Sequence, residues 1–230
     1  MIPHTVPPPS VVILASGRGR TFQALLDHSR RRREWEVTGL LVDRPSAPVV
    51  ALARESGCPV HVVDPTDPDP VLRQLGPDLV LLAGYLRLVP ASVTRAWAGR
   101  MLNVHPSLLP AFGGAGMYGM RVHQAVLAAG VRITGATVHQ VNERFDEGAI
   151  VAQWPVAVAP GDTAETLASR VQMVERRLYP GVVDHAARGL REGRPVPDLF
   201  ANSSFPAPGE HDLIPAPAGD PSQTDPREFP

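Results

Sequence analysis

Along the chain, short fully apolar runs alternate with stretches whose apolar residues recur every three or four positions. The run VVILA at 11–15 is apolar throughout, which predicts a strand buried on both faces. It ends in SGRGR, after which Phe22, Leu25 and Leu26 fall at helical spacing and predict a helix over 21–33. The alternation continues with a strand at 37–43 (VTGLLVD), a helix at 48–56 and a short strand at 59–63 (PVHVV). A strand at 79–84 (LVLLAG), a short helix at 91–98 and a fifth strand at 101–104 (MLNV) follow. This order predicts an α/β fold, a doubly wound and mostly parallel sheet with a Rossmann-like N-terminal half. The later part reads differently. A helix at 122–129 leads into two long strand-like stretches, ITGATVHQV (133–141) and IVAQWPVAV (150–158), and a helix over 163–188 closes the pattern.

Prolines punctuate the ends. Many of the 26 lie in the first ten residues and after position 195, where PAPGEHDLIPAPAGDPSQTDPREFP has almost no apolar periodicity. Such a segment buries too little surface to offset its ordering entropy. The expected organisation is a flexible arm at 1–9, a single domain at 10–200 and a proline-rich disordered tail at 201–230. Apolar residues make up 43% and the net charge is −1, so a packed core is expected, with no basic footprint for nucleic acid or a membrane surface. No apolar run approaches a membrane span, and MIPHTVPPPS lacks the basic and apolar regions of a signal peptide. The single cysteine, Cys58, excludes an internal disulfide framework and suits a reducing cytoplasm, the expected location. Monomer and homodimer both remain open.

In an open parallel sheet, ligands bind beyond the carboxyl ends of the strands. SGRGR, LAGYLRLVP and NVHPS should therefore converge on one cleft. A strand, glycine loop and helix start offers free N–H groups and a helix dipole to a phosphate, with Arg18 and Arg20 as added cations. The same stretch also reads as a plain tight turn. G-x-G without a third glycine is a weak dinucleotide fingerprint, and Asp43, the candidate for a ribose, precedes Arg44-Pro45, so an NAD enzyme is not favoured. Strand alternation puts Asn103 and His105 on one side. An amide donor beside an imidazole suits a developing oxyanion with a proton transfer; taken alone, the pair equally suits hydrogen bonds to the loop that follows. His105, His123 and His139 match no dense metal-ligand spacing, and Cys58 is remote, so no functional metal is expected.

NVHPSLLP, with GYLRLVP upstream and TGATVHQVNERFDEGAIVAQWPVAV downstream, resembles the folate-dependent formyltransferase family. The resemblance runs in order from VVILASGRG to VERRLYPGVV. The SGRG start and the RVQMVERRLYP helix resemble the branch that acts on a glycinamide ribonucleotide. It implies a catalytic set of Asn103, His105 and Asp146, although Asp146 in NERFDEGA would by itself pass for turn chemistry. The implied reaction is attack by the amine of 5-phosphoribosylglycinamide on the formyl carbon of the co-substrate 10-formyltetrahydrofolate, in de novo purine biosynthesis. It passes through a tetrahedral oxyanion and uses no metal. The acceptor's phosphate and ribonucleotide would meet Gly19, Arg20, Thr21 and Glu175, in the N-terminal half apart from Glu175. The folate would meet Leu86, Arg87, Leu88 and Val89, with Asn103, Asn142 and Asp146, and the C-terminal half is expected to carry folate binding.

Three departures stand out. The family usually shows G-S-N where this chain has Gly19-Arg20-Thr21; Arg20 either binds phosphate or obstructs it. A basic residue after the third strand has no clear match, Arg73 being the substitute. The stretch AFGGAGMYGMRVH, with Gly113, Gly114, Gly116 and Gly119, reads as a mobile cover. Alternatives are another folate formyl enzyme (a formyltetrahydrofolate hydrolase, a sugar-nucleotide or a methionyl-tRNA formyltransferase) and a non-catalytic nucleotide-binding relative.

Overall fold

The computed structural model describes residues 7–196 and 199–200. Its strands are β1 (Ser10–Leu14), β2 (Glu36–Val42), β3 (Val60–Val62), β4 (Leu79–Leu82), β5 (Met101–His105), β6 (Ile133–Gln140) and β7 (Ile150–Ala157). The helices are α1 (Arg20–Arg32), α2 (Val49–Glu55), α3 (Asp69–Leu75), α4 (Ala91–Ala96), α5 (Met120–Ala128) and α6 (Ala164–Arg191). One seven-stranded sheet runs in the order β3-β2-β1-β4-β5-β6-β7. β1 to β5 pair in parallel, whereas β6 and β7 add antiparallel. The order reverses direction between β1 and β4, and there the loops beyond the strands part to leave a crevice.

Alternation along the central strands divides the core in two. Val11, Ile13, Leu79, Leu81 and Leu102 join α1, α2 and α6 on one face. Val12, Leu14, Val80, Leu82 and Met101 join α3 and α4 on the other. Two-sided burial is why these strands read as unbroken apolar runs. Asn103 continues the face of Met101, at the strand end where packing stops.

The expected elements are present, with differences at their edges. α3 was not expected, because Pro65, Pro68 and Pro70 crowd its start. Proline is tolerated in a first helical turn, where no intrahelical N–H bond is lost. Asp69 then holds this short helix by accepting from Arg73 Nε at 2.6 Å and from Trp97 Nε1 at 3.1 Å. α6 is longer than expected and starts from a capping box between Thr163 and Thr166. At the N-terminus Pro9 is buried and its carbonyl accepts from Glu36 N–H at 2.9 Å, so the last residue of the expected arm is already part of the sheet. Residues 1–6 and the expected tail at 201–230 lie outside the described residues. Among the described residues no helix is long and apolar enough to cross a membrane.

α6 is fixed to the strand beneath it by Tyr179, whose fully buried hydroxyl donates to the Leu102 carbonyl at 2.9 Å. That bond ties the helix carrying Glu175 to the strand carrying Asn103. Tyr179→Phe is expected to lower unfolding free energy by about 1–2 kcal/mol in denaturant titration, since a buried carbonyl loses its partner.

Candidate active site

The crevice is a cleft of about 540 Å³. Its walls come from residues 17–21 after β1, 82–89 at and after β4, 103–106 at the end of β5, and the loops before α5 and after β6. Gln172 and Glu175 of α6 complete it. Gly19, Arg20, Thr21, Leu86, Arg87, Leu88, Val89, Asn103, His105, Asn142, Asp146 and Glu175 all line this one cleft. Both halves of the chain build the wall where Leu86 to Val89 meet Asn142 and Asp146.

At the first strand end, Gly19 caps α1 with φ of 78°, a left-handed conformation that favours glycine. A Cβ there would also lie 2.6 Å from Val49. The first N–H groups of α1 have no intrahelical acceptor, and no acidic residue occupies its first turn. Arg20 Nη1 donates to Gln172 Oε1 at 2.8 Å, so its guanidinium is held toward α6 at the side of the loop.

At the fifth strand end, antiparallel pairing sets Asn103 directly opposite His139 and His105 opposite Thr137. Cross-strand partners share a face, and Asn103 Nδ2 lies 3.0 Å from His139 Nε2. His139 Nδ1 lies 2.8 Å from the Gln140 carbonyl. That carbonyl requires a proton on Nδ1, which leaves Nε2 to accept from the Asn103 amide. Asp146 sits beneath both strands. Its Oδ1 is 3.5 Å from Asn103 Nδ2 and 3.6 Å from His139 Nε2. Its Oδ2 is 3.3 Å from His105 Nδ1 and accepts from Gly114 N–H at 3.0 Å.

His105 is buried, and its Nε2 lies 2.9 Å from the Phe112 carbonyl. Both ring nitrogens therefore face acceptors. Burial alone would push the Asp146 carboxyl up. A hydrogen bond from His105, the His105 charge and the Gly114 N–H outweigh it and hold Asp146 ionised, well below the usual carboxylate range. The loop reaches this position through Gly148, where a Cβ would lie 1.7 Å from the Gln140 carbonyl oxygen.

Two further ionisable groups line the cleft. Glu175 is only 8% exposed and makes no hydrogen bond to a described residue. Burial pushes its carboxyl up to about 7, against the opposing charges of His105 and Arg176. It is thus not the solvated surface residue that its neighbours Arg176 and Arg177 suggest. His123 of α5 is 2% exposed with Nδ1 lacking a partner. Burial, then the His105 charge, lower it to about 4, so it is neutral.

Some candidates fall elsewhere. Asp43, its side chain 1% exposed, holds Arg44 at 2.9 Å and Arg87 at 3.1 Å. Its carboxylate is occupied in joining strand-end loops, which removes it as a ribose ligand. Arg73 pairs with Asp69 and faces a separate surface cavity beside Trp97 and Arg100. The Asn142 side chain accepts from Arg144 N–H at 3.0 Å, shaping its own loop. His139, His123, Gln172 and the Phe112 carbonyl are site groups that the sequence reading did not single out for this role. The strand pairing that puts His139 against Asn103 leaves no local signal. Among the described residues no cluster of three or more His, Cys, Asp or Glu is arranged to hold a metal ion.

A doubly wound sheet with an amide, an imidazole and a buried carboxylate meeting at a central strand end is the build of a group-transfer enzyme that stabilises an oxyanion. The chain belongs to the formyl transferase family, whose model matches residues 10–183. It is 41% identical over 191 residues to the chloroplastic phosphoribosylglycinamide formyltransferase of Vigna unguiculata, covering 78% of this chain and 61% of that protein. The chain thus spans about three fifths of that relative's length. It is 33% identical to phosphoribosylglycinamide formyltransferase of Bacillus subtilis, over 74% of this chain and 91% of that protein. The crystal structure of glycinamide ribonucleotide transformylase 1 from Symbiobacterium toebii superposes with a TM-score of 0.73. It is 37% identical and covers 80% of this chain and 90% of that one.

Two outcomes follow from this geometry. Folded Glu175 keeps its proton up to about pH 7, whereas an unfolded glutamate releases it near 4.5. Wild-type stability therefore falls as pH rises between those values. Glu175→Gln, which never charges, is expected to exceed the wild type above pH 7 by on the order of 3 kcal/mol, the gap closing below pH 4.5. Equal denaturation midpoints at pH 8 would refute this. Gly148→Ala is expected to displace the loop carrying Asp146 and cut kcat roughly a hundredfold, read by steady-state assay.

Proposed function

We propose that the protein transfers the formyl group of 10-formyltetrahydrofolate to the amine of 5-phosphoribosylglycinamide, a step of purine biosynthesis. The observation that carries this is the meeting of Asn103 and His105 on one buried carboxylate, Asp146, at the floor of a cleft with a phosphate loop at one side. The named relatives support the choice of acceptor.

In this reading the Asn103 N–H that lies a long 3.5 Å from Asp146 turns to the formyl oxygen as the amine adds, and the charge of His105 lies beside it. The carbonyl π pair moves onto that oxygen, and an amide N–H and a fixed imidazolium stabilise it. Asp146 keeps His105 charged and oriented. It also assists, through water, in moving a proton from the new C–N nitrogen to the departing folate nitrogen. The acceptor's phosphate lies on the N–H groups of Gly19, Arg20 and Thr21, and Glu175 meets its glycinamide end.

The donor fits the opposite wall. Half-exposed Leu86, Leu88, Tyr118, Met120 and Phe145 ring the cleft mouth, a surface suited to a flat aromatic ring system. Arg87, set by Asp43, lies on the same wall. No step requires a metal. The reading takes 10–200 as one domain and, on the lone buried Cys58, places it in the cytoplasm.

The test is an assay of the purified chain with both substrates. Wild type is expected to form the formylated ribonucleotide, and His105→Ala to lose about 10²–10³ in kcat. No product, or product formation unchanged in the variant, refutes the reading; formate released without acceptor assigns the protein to the hydrolase alternative.

A further inference from the structure

Asp43 stands just past the end of β2, behind the wall of the cleft and outside its lining. Its side chain is 1% exposed, so its charge needs partners that water does not supply. Arg44 Nη1 donates to both carboxylate oxygens, at 3.0 and 2.9 Å, and Arg87 Nε donates to Oδ2 at 3.1 Å. Burial works against the charge, but hydrogen bonds from Arg87 and Ser16, with the charges of both arginines, hold the carboxyl below its usual range. The carboxylate is therefore satisfied in the free protein, and no substrate is needed to complete it.

The two loops that meet at Asp43 depend on it unequally. The phosphate loop begins at Ser16, which is fully buried and fixed by backbone bonds: Ser16 N–H donates to the Gly84 carbonyl at 3.2 Å, and the Gly17 carbonyl accepts from Val49 N–H at 3.0 Å. Arg44 Nη2 adds a bond to the Ser16 carbonyl at 3.0 Å. The backbone of the donor wall has its own tie, from Leu86 N–H to the Ser16 hydroxyl at 3.3 Å. The Arg87 side chain is different. It lines the cleft and is 57% exposed, and among the described residues its guanidinium donates to Asp43 alone. A long side chain on a loop gives up rotamer freedom when a ligand fixes it. A carboxylate that already holds Nε removes much of that cost before the ligand arrives.

We propose, resting on the formyl-transfer reading, that Asp43 is a positioning residue for the formyl donor and acts through Arg87. By holding Nε it fixes the plane of the guanidinium in the free protein. Nη1 and Nη2, which donate to no described residue, are left for an oxygen of the donor. A planar fork held at Nε presents only its remaining N–H groups, so the pair sets where along the wall of Leu86 to Val89 that oxygen must lie. Asp43 touches neither substrate. Its effect belongs to donor binding, because Asn103, His105 and Asp146 form a separate hydrogen-bonded network that shares no residue with Asp43, Arg44, Arg87 and Ser16.

The experiment is steady-state kinetics on the full chain, varying 10-formyltetrahydrofolate and phosphoribosylglycinamide in turn, for wild type, Asp43→Asn, Arg87→Ala and the double variant. Asp43→Asn keeps the shape and removes the charge. It is expected to raise donor KM about fivefold, with kcat and acceptor KM within about twofold of wild type. Arg87→Ala is expected to raise donor KM about tenfold. The double variant is expected to match Arg87→Ala, since a residue acting through another has no effect once that one is gone. Asp43→Ser is run in parallel, so that a poor fit of the asparagine amide beside two guanidiniums does not decide the outcome. Donor KM unchanged in both Asp43 variants, or factors that multiply in the double variant, overturns the proposal. So does a change in kcat or acceptor KM as large as that in donor KM, or loss of cooperative unfolding in both Asp43 variants; each makes Asp43 a support of the fold. Arg44→Gln, which leaves the Arg87 bond in place, is expected to keep donor KM within about twofold of wild type; a rise equal to that of Asp43→Asn assigns the effect to the loop junction and overturns the proposal. Calorimetric titration with the donor alone reads the same shift as a Kd. It decides for Asp43 even where wild type yields no formylated product, an outcome that refutes the formyl-transfer reading.

Discussion

The buried Asp146 carboxylate organises the site. It gathers Asn103 and His105 from β5, His139 from β6 and a backbone N–H from the loop before α5. An ionised carboxylate that far from water survives only with donors and positive charge around it. Once both oxygens are engaged, the network fixes its members in return: His105 is held between two acceptors and the Asn103 amide is aimed by His139. Such a network is worth more than its separate pairs, because loss of one member strands the others without solvent.

The backbone that holds this arrangement is strained where it matters. Phe112 and Asp146, which face the two nitrogens of His105, both have φ of 57°, a region side-chain-bearing residues enter at a cost. The surroundings over-determine them. Thr137, opposite His105 in the sheet, donates to the Ser107 carbonyl at 2.6 Å and accepts from Leu109 N–H and Gln153 Nε2 at 3.0 Å. Gln153 also donates to the Leu109 carbonyl at 2.9 Å. These bonds anchor the start of the loop whose Phe112 carbonyl meets His105, so the antiparallel strands brace the chemistry at the end of the parallel ones.

Charge is distributed along the cleft in a way that suits one molecule with unlike ends. Arg18 and Arg20 stand at the N-terminus of α1, where the helix dipole adds to their field. The other end presents an unsatisfied carboxyl, Glu175. That carboxyl lowers the stability of the free protein at neutral pH, and its retention in the interior fits the wider pattern in which reacting sites are less stable than the fold could make them.

Much of the fold was legible because its signals are local. Two-sided burial makes β4 apolar at every position and β1 at all but its first, and amphipathic spacing marks α1 and α6. α3 escaped because its prolines resemble a loop while occupying a first turn that tolerates them. The site was only half legible. Asn103 and His105 share a strand, so alternation alone places them together; the burial of Glu175 leaves no trace beside Arg176 and Arg177, and Asp43 looked available because its two arginine partners come from different loops. Asp146 was found by resemblance, since nothing in NERFDEGA distinguishes it from a turn. By itself the chain's pattern determined a doubly wound sheet and the strand end where polar side chains must emerge. Tertiary structure decided the chemistry: antiparallel pairing of β6 set His139 against Asn103, the loop at Gly148 brought Asp146 beneath both, and burial raised Glu175. These are contacts and solvent exclusions between distant segments, and no spacing along the sequence encodes them.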